Sequence, residues 1–159
     1  MLFRFYLYDE KILIPTIGET AAGLYVDTKP VQKFAATDVD AWKSAVYLAL
    51  KSEKTPIAAP DQEEDSPGSV LLELLNLQKW SLFEKRALMY TVHIGGAYIK
   101  GYRTGRGADS MWDASATIER VWDIRTPLHF IVDALAKDAI GQPEAHPVKV
   151  GGLMLLPKN

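Results

Sequence analysis

Two segments of this chain carry apolar residues at helical spacing, and the runs around them have the composition and two-residue period of β-strand. In the first, Val39, Trp42, Val46, Ala49 and Leu50 fall on one face, while Asp40, Lys43, Ser44 and Lys51 take the other. Thr37 or Asp38 is placed to cap the free amides, which predicts a helix to about Ser52. In the second, Thr126-Pro127 puts proline at the first helical position, where its missing amide costs nothing. Leu128, Ile131, Val132, Leu135 and Ala139 form its buried stripe, and Gly141 and Pro143 end it. Strand-like runs precede and follow these helices without a regular βαβ alternation. That order predicts an α+β fold: a single domain over residues 1–159, with a mainly antiparallel sheet packed against two or three helices.

The strand signals are uneven along the chain. Leu2 to Tyr8 is aromatic-rich and reads as strand. Asp9-Glu10-Lys11 turns it into Ile12-Leu13-Ile14, which Pro15 should confine to an edge or an end. Gly18 to Gly23 reads as loop, and Leu24–Val26 and Val31–Ala35 as two strands parted by Lys29-Pro30. Ser69 is placed to cap a short, strongly apolar helix through Val70, Leu71, Leu72, Leu74, Leu75 and Leu77. Leu82 to Leu88 suits a helix, whereas Tyr90 to Ile94 suits a strand. Gly95-Gly96 then makes a turn or bulge before strand from Ala97 to Tyr102. Gly101, Gly105 and Gly107 bracket a predicted loop, Trp112 to Trp122 alternates as strand, and Val148 to Leu156 predicts a final strand.

At 159 residues the chain buries roughly 70% of its unfolded surface, enough to fold without a disulfide or metal. It has no cysteine, which excludes disulfide frameworks, thiol catalysis and Cys-based metal sites. Arg4 interrupts the opening apolar run and acids follow at once, unlike a signal peptide. No run of 18 apolar residues occurs. These features lead us to expect a cytoplasmic protein with no membrane partner.

A net charge of -2 conceals a strong segregation. Thr55 to Gln78 holds five acids and no Lys or Arg, and Lys79 to Arg106 holds six bases against Glu84 alone. Fields of one sign govern encounter and partner choice more than they govern fold. Residues 55–68, with three prolines, one glycine and four acids, read as a mobile acidic surface loop. Asp61, Glu63, Glu64 and Asp65 lack the alternating ligand spacing and glycine of a calcium loop. The run therefore suits either a solvated face or a decoy for a basic partner, standing in for phosphates.

Other candidates are few. His93, His129 and His146 never pair at ligand spacing, and no Gly-x-Ser-x-Gly elbow supports a catalytic triad, so neither metal nor cofactor nor catalytic residue is expected. Gly101 to Gly107 is basic and glycine-rich but matches neither a P-loop nor a dinucleotide fingerprint. It reads as a hairpin loop with solvated arginines, or as a nucleic-acid contact built from Lys100, Tyr102, Arg103 and Arg106. A sequence pI near 5.9 weighs against the second. Trp80, Trp112 and Trp122 suit core anchoring of irregular segments, with Trp80, Leu71 and Leu75 also candidates for apolar contacts beside the acids.

The Leu2–Tyr8 opening and the Asp61–Asp65 run together give the chain a character that resembles the immunity proteins of bacterial contact-dependent inhibition and related polymorphic toxin systems. Such proteins are not enzymes; each binds one cognate toxin, frequently a nuclease, and blocks it. The resemblance implies a basic toxin partner met by Asp61, Glu63, Glu64, Asp65 and Trp80. It implies nothing about the fold.

Overall fold

A computed structural model describes residues 1–58 and 68–146. The acidic run at 61–65 and the predicted tail strand at 148–156 lie outside the described residues. The strands are β1 (Leu2–Tyr8), β2 (Lys11–Thr20), β3 (Tyr25–Ala35), β4 (Thr55–Ile57), β5 (Ala87–Gly95), β6 (Tyr98–Arg106) and β7 (Trp112–Asp123). The helices are α1 (Val39–Lys51), α2 (Ser69–Leu75), α3 (Trp80–Glu84) and α4 (Leu128–Ile140), followed by a 3-10 turn at Pro143–Ala145. The fold is α+β, as the element order predicts. One sheet runs β3-β2-β1-β5-β6-β7 with antiparallel neighbours, and β4 joins β2 in parallel. Among the described residues no helix is long and apolar enough to cross a membrane.

Alternation along β1 divides the interior in two. Phe3, Phe5 and Leu7 face a larger core with Ile12, Ile14, Tyr90 and Val92, roofed by Trp42 and Val46 of α1 and Ile131 and Leu135 of α4. Phe5 stacks on Tyr90 at 4.9 Å and meets Trp42 at 6.0 Å. Trp42 is fully buried and its indole donates to the Ala36 carbonyl at 3.0 Å. Tyr6 and Tyr8 face the opposite side, where a smaller cluster forms with Leu13, Val70, Leu71, Phe83 and Ala87 beneath α2 and α3.

Several local expectations are corrected. Pro15 does not confine its strand: β2 continues to Thr20, and β3 is one strand through Lys29-Pro30. The ladder steps from Pro15–Val31 to Thr16–Thr28, so Lys29 and Pro30 bulge out. Both prolines thus sit where an amide is least needed. The predicted loop at Gly18–Gly23 shrinks to the turn after Thr20. Asp38 occupies the N-cap of α1 but makes no side-chain cap, and Pro127 caps α4 instead of opening its first turn. Gly68, with φ +87°, caps α2 in place of Ser69. Ala87 and Leu88 are strand, because their side chains divide between the two cores.

Candidate functional site

In sequence the acidic run stands between β4 and α2. A Cβ on Gly68 would stand 2.6 Å from the Trp80 ring, so only glycine lets that indole close over the start of α2. Trp80 packs at 4.9 Å on Phe83 and edge-on at 5.8 Å to Trp112, whose indole donates to the Ala87 carbonyl at 2.8 Å. Trp80 is half-buried here as an anchor of α3, and Leu71 is fully buried. The apolar side chains left facing solvent are Leu74, 40% exposed, and Leu82, 46% exposed. Sequence reading missed both. A seven-residue helix with apolar groups at Val70, Leu71, Leu72, Leu74 and Leu75 has only one face to bury, and that surplus was the available signal. Glu73, last of the five acids, lies beside Leu74 and pairs with Lys29 at 3.0 Å on the surface. An exposed pair of this kind adds little to stability.

Beneath this surface sits a desolvated polar latch. Arg4 and Tyr6 project from one side of β1. Arg4 Nε donates to Asp27 Oδ1 at 2.7 Å, and the Tyr6 hydroxyl donates to Oδ2 at 2.6 Å. The Asp27 side chain is only 3% exposed. Burial, then the Asp27 charge, pushes the Tyr6 phenol well above its ordinary pKa. Paired and fully bonded, this group holds β3 against β1 across the end of β2.

The basic segment is not a loop. Gly101 and Gly105 lie within β6, where a Cβ on Gly105 would collide with the Ala116 carbonyl of β7. Alternation then separates the four residues expected to act together. Lys100 and Tyr102, both half-buried, share the outer face with their partners His93 and Thr91. Arg103 turns to the larger core, where Nε lies 2.7 Å from Asp138 Oδ2 without a directed N–H bond. Tyr90 donates to the same carboxylate oxygen at 2.7 Å, and burial, then that bond, raises its pKa. Arg106 is a strut: its guanidinium donates to Glu144 Oε2 at 2.9 Å and to the carbonyls of Ala87, Ser110 and Glu84. Solvated arginines were the expectation; both guanidiniums are instead tied down.

His93, His129 and His146 are exposed and lie on β5, on α4 and just after the 3-10 turn. Among the described residues no three His, Asp or Glu side chains gather as metal ligands.

What the fold and this surface define is a class: a single α+β domain with helix pairs on both faces of a seven-stranded sheet. No protein-family model matches the chain, and no curated protein matches it. Among solved structures it is similar to a protein of unknown function, NMB0488 from Neisseria meningitidis. The match has a TM-score of 0.56 and 14% identity, and covers 88% of this chain and 94% of the other. At that identity the likeness shows a shared fold.

Proposed function

We propose that the chain is a non-enzymatic inhibitor of the immunity-protein kind, which binds and neutralises one basic toxin, a nuclease, in the cytoplasm. The observation that carries this reading is the five acids from Asp61 to Glu73, uninterrupted by a base and followed in sequence by the exposed Leu74 and Leu82. A nuclease must present lysines and arginines to phosphate. An acidic surface opposite those groups accelerates encounter and selects the partner, while aliphatic anchors beside it slow dissociation. Trp80 contributes by holding α3 in place; its ring is spent largely on Phe83 and Trp112.

The test is stopped-flow association with basic toxin nuclease domains, comparing the native protein with the quadruple variant Asp61→Asn, Glu63→Gln, Glu64→Gln, Asp65→Asn. We expect association at low salt to slow at least roughly tenfold, with much of the salt dependence lost. Unchanged rate and affinity refute the acidic-surface reading, and no complex with the native protein refutes inhibition altogether.

The nucleic-acid alternative built on Lys100, Tyr102, Arg103 and Arg106 loses its two arginines to Asp138 and Glu144. Lys100 and Tyr102 remain on an accessible sheet face, so a gel shift with RNA and DNA at low salt decides it; no retardation disposes of it.

A further inference from the structure

Strand β2 changes neighbours along its length, and the change opens a cleft. Its last pair with β1 is Leu13–Tyr6, and its first with β4 is Gly18–Thr55. Residues 14–17 between them face the last turns of α1 across a space of about 240 Å³. The floor is apolar, because Phe3, Ile14 and Ile17 are buried members of the larger core. Lys54 stands at the mouth, half-buried, its ammonium 5.3 Å from the centre of the Phe3 ring. Among the described residues no carboxylate lies within ion-pair distance of it. Burial pulls its pKa below the ordinary lysine value, and the Glu19 charge only partly offsets that. Glu19 also acts on Tyr25, where burial and then the Glu19 charge raise the phenol's pKa. A partly desolvated cation with no ion pair among the described residues is a liability that a bound anion removes. The nearby hydroxyls do not compete: Thr16 donates to the Pro30 carbonyl and Ser52 to the Leu48 carbonyl.

We propose that this cleft binds a small aliphatic monocarboxylate, with the carboxylate on the Lys54 ammonium and the hydrocarbon part against Phe3, Ile14 and Ile17. The volume falls below the about 300 Å³ at which sites for drug-sized ligands begin, which restricts the ligand to a short chain. Glu53 stands on the rim and repels a second negative charge, which disfavours phosphates and dicarboxylates. The site lies at the β2–α1 junction and stands independently of the inhibitor reading.

Hexanoate is the probe, titrated into the full chain by calorimetry and thermal shift, with hexanol and hexylamine as controls. We expect saturable binding of hexanoate alone. Lys54→Met, which keeps the hydrocarbon stem, should weaken it roughly tenfold or more, and Lys54→Arg should retain it. Absence of a saturable response, equal binding by Lys54→Met, or equal binding of hexanol overturns the site. If Lys54→Met fails to fold, amide shifts on the native protein decide instead. Changes centred on Phe3, Ile17 and Lys54 support the site, and changes elsewhere or none overturn it.

Discussion

The two faces of the sheet are built on different terms. Among the described residues the larger core gathers twenty buried residues under two thirteen-residue helices, whereas the smaller gathers seven under helices of seven and five residues. Helices that short do not form on their own strength and persist only by packing. Their packing holds them in place, through the contacts of Phe83 with Trp80, Tyr6 and Tyr8 and the burial of Val70 and Leu71. The contrast teaches that the larger share of the buried core lies under α1 and α4, although both faces keep exposed apolar side chains, Leu48 and Phe130 on one and Leu74 and Leu82 on the other.

The hardest blow to this division comes from exchanging its tryptophans. Trp42→Ala should cost about 3–5 kcal/mol in denaturant unfolding, because it empties a sealed site and orphans the Ala36 carbonyl. Trp80→Ala, at a half-buried position, should cost distinctly less. Equal losses would erase the distinction between the faces.

Arg106→Met should cost roughly 2–3 kcal/mol by the same measurement, since it leaves Glu144 and the carbonyls of Glu84 and Ser110 without this donor, while Ala87 keeps the Trp112 indole. Arg106→Lys should recover only part, because an ammonium lacks the planar fork. Full recovery by lysine would show that charge alone, not the strut, matters there.

Alkaline titration probes a tyrosine on each face. The unfolded chain releases phenolic protons near pH 10.0, while folded Tyr6 and Tyr90 hold theirs to higher pH. The folded state then binds more protons, so stability is fully present below pH 10.0 and falls above it, by about 1.4 kcal/mol per pH unit for each group. Tyr6→Phe and Tyr90→Phe should each flatten that decline while lowering stability at neutral pH, because Asp27 and Asp138 lose a donor. A steeper alkaline decline in either variant contradicts the assignment.

The smallest effect on folding belongs to the exposed leucines. Leu74→Ser and Leu82→Ser should each change stability by no more than about 0.5 kcal/mol. Under the inhibitor reading the same variants should weaken toxin binding at least roughly tenfold, chiefly by faster dissociation. Stability loss as large as that of Trp80→Ala would make them core residues instead.

Parts of this architecture were legible in advance. The stripes of α1 and α4 were, since Trp42, Val46, Ile131 and Leu135 obey a helical period that survives packing. The acidic segregation was equally visible, being a property of order along the chain. The path of β2 and β3 past Pro15 and Pro30 was not, because whether proline ends a strand depends on which partner needs its amide. Nor was the dispersal of the basic segment: Gly101 and Gly105 look like loop residues until Trp122 and Ala116 are packed against them.

By itself, then, the amino-acid order determined the fold class, the two long helices and the separation of charge, because each is written in local periodicity or composition. Only the tertiary structure decided that Arg103 and Arg106 brace α4 and the turn after it, that Leu74 and Leu82 face outward, and that Lys54 guards a cleft. Those facts follow from which strands pair and where β2 changes neighbours, and long-range contacts leave no local signature.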